Sequence, residues 1–449
     1  MQATASIPPG LPAEHGHAAV GRPGLSAQTQ SSNALYVGMN PSPPANPDHR
    51  FWWDHFAPFL LSWLCASGCY SESDIAAQLT ILRDVVIPAF GPPSVVQHAL
   101  KPTGSPFELS WNFTPHGNTI RYTFQPMGSR AGTDEDPFGS SNLDDEVLPL
   151  LERHSANVDL RWFCQFRDAW MMHRHHADAA AAKEAMKQHA NVKIPSQLFL
   201  GYDLVGPKAQ LKAYFLPIFK HFATGRSTDA LAAEMIRSLE PFGPELEDQV
   251  RQMEQFLAGC SYPHFIDMVG IDCCDPAKAR IKVYVRVNNV SRACVKYFLT
   301  MGGRLDDERT RRMLADMDRC WHHVIDEEAG YPDEQDKKPK DPATFHKGIV
   351  MAITLSPALN DGVVRTRPYC SWSNYQSSDW GAVGNFAMIL KELGMEKEAE
   401  TYVRGHTATA SSVPKRNMDG SGLLTYFGYD YTSDKGPYAT SYSMPCFFI

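Results

Sequence analysis

The stretch Ala279-Arg280-Ile281-Lys282-Val283-Tyr284-Val285-Arg286 alternates polar and apolar residues without a break. That period of two is the mark of a β-strand, on which successive side chains point to opposite faces. Arg280, Lys282, Tyr284 and Arg286 therefore share one face, and Ile281, Val283 and Val285 the other. A single strand of this kind reads as the solvent side of an antiparallel sheet, which is commonly polar on one face. The row of cations acquires meaning only if other strands repeat it.

They do repeat it. Working outward, Phe265 to Ile271 is the partner of the opening strand. Phe107 to Phe113 pairs with Thr119 to Gln125, Leu198 to Val205 with Gln210 to Phe215, Phe345 to Leu355 with Val363 to Tyr369, and Leu423 to Tyr431 with Tyr438 to Met444. Helical periodicity separates these pairs: Trp52 to Phe90, residues 143–192, Asp229 to Leu257, Val290 to Tyr297 with Asp306 to Ile325, and Asp379 to Leu393 with Glu396 to Arg404. The order helix, strand, strand, helix recurs at intervals of roughly 70–90 residues, longer than solenoid repeats. It predicts one domain over residues 46–449. Residues 1–45, rich in Pro, Gly, Ser, Ala and Gln, read as a disordered leader.

The mixed face returns in each pair: Arg121 in one, Lys212 with Tyr214 in the next, then Arg365, Arg367 and Tyr369, and finally Tyr438, Thr440 and Tyr442. If helices cover the apolar faces, the polar faces converge inside a closed barrel. The predicted fold class is thus α/β in the broad sense (α+β), a barrel with a solvent-filled lumen and an outer ring of helices.

Composition limits the function. The chain has 449 residues, a net charge of −8, 43% hydrophobic and 20% charged residues, a globular balance without the basic surplus of a nucleic-acid binder. The longest apolar run, Phe56 to Cys65, is broken by Pro58 and Ser62 and falls short of the roughly 20 residues that span a bilayer. With no basic n-region ahead of an apolar one, neither a signal peptide nor a membrane span is expected. The ten cysteines are scattered, as reduced thiols of a cytoplasmic protein would be. Cys65 with Cys69, and Cys273-Cys274, lack the paired C-x2-C spacing of zinc sites, so no metal is expected.

A lumen lined by Arg and Lys alone suffers like-charge repulsion and desolvation, so it expects an anion. Interleaved tyrosines suit a phosphate ester whose organic part becomes cationic, because ring faces attract cations. Glu108, in Gly104-Ser105-Pro106-Phe107-Glu108-Leu109-Ser110-Trp111, is a carboxylate in an otherwise apolar, aromatic strand, placed to accept a hydrogen bond and later a proton. Its alternative is a surface Glu on a half-exposed strand. The matching alternative for the whole chain is a barrel that binds a phosphorylated or polycyclic aromatic ligand without chemistry.

These residues resemble the fungal aromatic prenyltransferases of the dimethylallyltryptophan synthase type. The resemblance rests on Phe51-Trp52-Trp53, Gly91-Pro92, Ser105 to Ser110, Arg121 with Phe124-Gln125-Pro126, Asp136-Pro137-Phe138, Lys212 to Pro217, Pro276 to Tyr284, Gly302-Gly303-Arg304, and Pro437-Tyr438 leading to Tyr442. It implies an ABBA barrel of about ten antiparallel strands ringed by helices. It also implies transfer of a dimethylallyl group from dimethylallyl diphosphate, the co-substrate, to an electron-rich aromatic small molecule, an indole alkaloid, cyclic dipeptide or hydroxylated polyketide, without an obligatory metal or other cofactor. By motif, Arg121, Lys212, Arg280, Lys282 and Arg367 match diphosphate ligands, Tyr214, Tyr284, Tyr369, Tyr426 and Tyr442 a tyrosine shield, and Glu108 the acceptor-activating carboxylate. Asp144-Asp145-Glu146 and Asp306-Asp307-Glu308 do not complete a DDxxD magnesium motif. A homodimer is compatible with this reading, as is a C5 or a C10 donor.

The chain also departs from the family pattern. Phe199, ahead of Gly201-Tyr202-Asp203, stands where tryptophan-modifying members carry a catalytic lysine, and Asp267 near where they carry an arginine for a free amino-acid carboxylate. Thr432, with Lys435 as substitute, falls where a basic residue is expected after Tyr426, and Arg367 where glutamine or lysine is frequent. Phe199 is expected to wall the acceptor pocket; Trp111, Trp372 and Trp380 either wall it or belong to the core, and one of the three, with Trp111 foremost, is expected in the pocket.

Overall fold

A computed structural model describes residues 41–93, 105–131, 133–139, 142–173, 175–188, 197–342, 344, 347–412 and 422–445. Most of the expected leader, residues 1–40, lies outside them, as do Phe345 and His346 at the start of one expected strand. Ten strands are present: β1 Phe107–Thr114, β2 Gly117–Phe124, β3 Leu198–Val205, β4 Lys208–Phe215, β5 His264–Asp272, β6 Ile281–Val287, β7 Ile349–Leu355, β8 Arg365–Ser371, β9 Leu424–Thr432 and β10 Gly436–Ser443. Each pairs antiparallel with its sequence neighbours, and β1 pairs with β10, so the sheet closes. Closure leaves no strand edge with unpaired amides.

The expected helices lie between the strand pairs, among them Pro47–Ser67, Glu247–Ala258, Glu308–Ile325, Asp379–Glu392 and Glu396–Ser412. The last runs eight residues beyond the expected end at Arg404; Gly405 disfavours a helix but does not end one, and no proline follows before Pro414. None of the described helices is long and apolar enough to cross a membrane.

The alternation sorts the side chains as a closed barrel requires. On β1, Phe107, Leu109, Trp111 and Phe113 are fully buried on the outer face. They meet the helices at ring distances of 4.7 Å for Phe56–Phe107 and 5.1 Å for Trp63–Trp111. Asn46 caps the first of these helices, accepting from the Asp48 and His49 amides. The Trp52 indole donates to the Gly91 carbonyl at 2.8 Å, tying that helix to the chain ahead of β1.

Helix Glu396–Ser412 approaches the barrel so closely that a Cβ on Gly405 would lie 2.4 Å from Trp111 Cζ3, whereas one on the exposed Gly384 would meet nothing within 4 Å. The same substitution should therefore act with opposite sign at two helical sites. Gly405→Ala overpacks the interface and should cost about 1–3 kcal/mol. Gly384→Ala only stiffens a helix and should stabilise by about 0.5–1 kcal/mol. Denaturant midpoints of the two variants check this, and a neutral Gly405→Ala would count against the packing described.

Candidate active site

Residues directly opposite each other in the register share a face, and following the pairs round the barrel gives the inner face. Glu108, Ser110 and Asn112 of β1 stand opposite Thr123, Arg121 and Thr119 of β2; Arg121 in turn faces Asp203, and Lys212 faces Gly201 and Asp272. Lys282 faces Gly270 and Thr354, and Arg367 faces Ala352. The five expected cations, Arg121, Lys212, Arg280, Lys282 and Arg367, line one cavity together with Asp203 and Asp272. The cations cluster where β5 ends and β6 begins.

Most of these cations are fixed by carboxylates. Arg121 Nε lies 2.9 Å from Asp203 Oδ1, Lys212 Nζ 3.3 Å from Asp203 Oδ2 and 2.5 Å from Asp272 Oδ1, and Arg280 Nε 2.7 Å from Asp272 Oδ2. Burial alone would raise Asp203, but Arg121 and Lys212 hold it below the usual carboxylate range; against the same burial, Lys212 and Arg280 hold Asp272 well below it. Arg367 sits over two rings, 4.8 Å from the centre of Tyr369 and 5.2 Å from that of Tyr438.

Lys282 differs from Arg121, Lys212 and Arg280, and shares with Arg367 the lack of a carboxylate partner among the described residues. Among the described residues no carboxylate lies within ion-pair distance of it. The lumen reaches its side chain, leaving it half-buried, yet surrounding protein excludes bulk water. Burial first, then Arg367, Arg280 and Lys212, push its ammonium well below the ordinary lysine value. With all groups ionised, five cations face two carboxylates, an excess of three positive charges.

Next to the cations stands a chain of rings. Tyr214–Tyr284, Tyr284–Tyr369 and Tyr369–Tyr442 are 6.0, 5.7 and 6.0 Å apart between centres. Glycines let them lie against the barrel wall: a Cβ on Gly270 would come within 2.7 Å of Tyr214, one on Gly201 within 3.2 Å of the same ring, and one on Gly428 within 3.1 Å of Tyr369. Burial pushes the phenols of Tyr214, Tyr284 and Tyr442 above their ordinary value, so they remain neutral. Tyr426 packs against the Tyr284–Tyr369 cluster with Val350, Ala352 and Met268 close by.

Beyond the rings, where β1 and β9 begin, the half-buried Glu108 accepts a hydrogen bond from Thr425 Oγ1 at 2.6 Å. Phe199 lies on the inner face of β3, opposite Tyr214. Gly201, Tyr202 and Asp203 form part of that strand, as expected. Trp111 must be removed from the acceptor pocket. It points outward, its indole donating to Asn118 Oδ1 at 2.9 Å and its ring packed on Trp63. Trp372 is likewise buried among Phe386 and Phe427, donating to the Val324 carbonyl, and Trp380 is 37% exposed on a helix. No member of that trio lines the cavity. Thr432 ends β9 and Lys435 is exposed in the β9–β10 turn, so neither joins the cation cluster.

Sequence reasoning missed Asp203 and Asp272 as the groups that set the cations. The signal was available, since Phe199, Gly201 and Asp203 alternate inward as Gly270 and Asp272 do. It also missed Asn112, whose Oδ1 accepts from Tyr438 Oη at 2.7 Å and Thr440 Oγ1 at 2.9 Å and anchors the inner face of β10. Among the described residues no group of three His, Cys, Asp or Glu side chains could hold a metal ion.

Known proteins share this architecture. The crystal structure of AnaPT from Neosartorya fischeri superposes with a TM-score of 0.75 over 92% of this chain and 97% of that one, at 22% identity. The structure of NotF in complex with brevianamide F and DMSPP superposes with a TM-score of 0.72 over 90% of this chain and 97% of that one, at 18% identity. At such identities the likeness is one of fold. In sequence, the indole diterpene prenyltransferase terF of Tolypocladium album is 28% identical over 424 residues, covering 88% of this chain and 93% of that protein. The indole prenyltransferase tdiB of Emericella nidulans is 29% identical over 413 residues, covering 88% of this chain and 95% of that protein. Residues 48–405 match the tryptophan dimethylallyltransferase family, and across that span, with this barrel, the chain belongs to it.

Proposed function

We propose that this chain transfers a dimethylallyl group from dimethylallyl diphosphate to an electron-rich aromatic small molecule of secondary metabolism. The observation that supports it most directly is the surplus of cations beside a continuous wall of tyrosine rings. In this reading Arg121, Lys212, Arg280, Lys282 and Arg367 hold the diphosphate through charge-assisted hydrogen bonds. The allylic C–O bond breaks, its electrons leave with the diphosphate, and the cations stabilise the charge that develops there. The dimethylallyl cation remains between Tyr214, Tyr284, Tyr369, Tyr426 and Tyr442, whose faces each contribute about 0.5–2 kcal/mol of cation–π attraction. Closely packed rings exclude the water that would quench it.

An acceptor ring carbon then bonds to the cation, and the proton on that carbon passes to Glu108, restoring aromaticity. Diphosphate and one proton are the by-products. Thr425 holds Glu108 in position, and Phe199 forms an apolar part of the acceptor end. The nine described cysteines are free thiols, which supports a reducing, cytoplasmic setting.

Incubating the protein in EDTA with dimethylallyl diphosphate and a panel of indoles, cyclic dipeptides and hydroxylated polyketides should give one C5 mass increment on an acceptor. Strict magnesium dependence, or no increment on any of them, would overturn the reading. Glu108→Gln should lower kcat by about 10²–10⁴-fold with donor binding little changed; an unchanged rate would remove Glu108 from the proton transfer.

The depressed Lys282 gives a further test at the other end. In the empty site it loses its proton more readily than a free lysine, and a bound diphosphate restores the charge. Pyrophosphate affinity should therefore be full at pH below the empty-site value and fall as pH rises through it. Calorimetry in buffers of different ionisation enthalpy should show proton uptake on pyrophosphate binding, and Lys282→Arg should lack it. Equal uptake in both would place the titration on another group.

A further inference from the structure

One buried ion pair in the lumen has no part in the chemistry above. Arg286, on the inner face of β6, engages Asp267 Oδ2 with Nε at 3.0 Å and Nη2 at 2.5 Å. Its guanidinium also hydrogen-bonds the Tyr426 hydroxyl. Asp267 occupies an unusual place. In β5, Ile266 pairs with Val285 and Met268 with Tyr284, and the register shifts between them, so Asp267 is the extra residue of a β-bulge. Bulges re-aim a side chain and are frequent beside active sites. Regular alternation has no slot for a carboxylate between outward Ile266 and inward Met268; the bulge supplies one. The side chain of Arg286 is 7% exposed and that of Asp267 24%, so the carboxylate is the member of the pair that reaches open space.

This pair lies at the end of the lumen remote from the five diphosphate cations, beside Tyr426, which senses Glu108. The described strand residues there thus supply two carboxylates, Glu108 and Asp267, and one cation already turned to Asp267. An anionic group entering would meet carboxylate before it met free positive charge. A neutral group with an N–H or O–H would find an acceptor already held in place by Arg286, so that no side-chain freedom is lost on binding.

We propose that Asp267 is a specificity-determining residue that selects acceptors without a carboxylate, favouring neutral aromatics whose polar edge donates a hydrogen bond to it. Arg286 positions it. The inference rests on the prenyl-transfer reading and narrows the acceptor class of the same site.

The test compares indole-3-propionamide with indole-3-propionate, matched in size, as acceptors for dimethylallyl diphosphate with the 449-residue chain. The readout is the ratio of kcat/KM for the two, because a general fold defect lowers both and leaves the ratio alone. The wild type should favour the amide by at least about tenfold, equivalent to ~1.4 kcal/mol. Asp267→Asn frees the charge of Arg286 and should move the ratio at least about tenfold toward the carboxylate. Asp267→Asn with Arg286→Gln, which leaves no unpaired buried charge and serves should the single variant misfold, should bring the ratio between the two. A ratio unmoved by either change, or a wild type that prefers the carboxylate, overturns the inference. So does turnover of neither indole; the transferase reading then still stands if a cyclic dipeptide or hydroxylated polyketide gains a C5 unit, and falls with it if none does.

Discussion

Positive charge placed inside a closed sheet is the constraint on which the rest of the molecule depends. Charges of one sign in a space shielded from bulk water repel strongly and lose their hydration. The fold meets this with two carboxylates, Asp203 and Asp272, each bridging two cations. They order the array without neutralising it. What remains is an excess suited to a multiply charged anion, and Lys282, which like Arg367 has no carboxylate within ion-pair distance among the described residues, is the cation whose charge burial and its neighbours disfavour. The protein's own side chains thus leave the cluster with surplus positive charge, a usual condition of sites that bind by charge.

The rings impose a second requirement, one of space. A tyrosine wall inside a ten-stranded barrel would fill the lumen if every inward position carried a side chain. Gly201, Gly270 and Gly428 are the inward residues that a Cβ would drive into a ring, so glycine and tyrosine act as complementary halves of one surface. Leaving room for substrate and excluding water are met by the same pairing. The cost is conformational entropy at each glycine, offset here because each strand is held by ladders on both sides.

Much of this was legible in the chain. The period of two in Arg280 to Arg286, repeated in other strand pairs, gives both the barrel and the inward placing of Lys212, Tyr214, Arg367 and Tyr442, because alternation is a geometric property of strands that tertiary context does not override. Trp111 shows the limit. It alternates with Glu108 and Ser110, so the pattern already put it on the outer face, and only the assumption that a tryptophan near a site belongs to the site placed it inside. Asp203 lay in step with Phe199 and Gly201 on the expected strand Leu198 to Val205, but a lumen read as cations and rings alone left no role for an inward carboxylate. Asp267 was placed near an acceptor by the resemblance alone; its pairing with Arg286 was not legible, since a bulge depends on the pairing of two strands and leaves no mark in the order of residues.

Closure of the sheet by β1 and β10 has a further consequence, in time rather than space. Glu108 lies near the start of the first strand, and its hydrogen-bond partner Thr425 is 317 residues further on. The inner face of β1 stays open on one side until β9 and β10 have been made and docked, and contacts of such separation form late because loop closure must come first. An enclosed lumen requires the pairing of β1 with β10, so the inward faces of the other strands surround a closed space only once the two ends of the sheet have met.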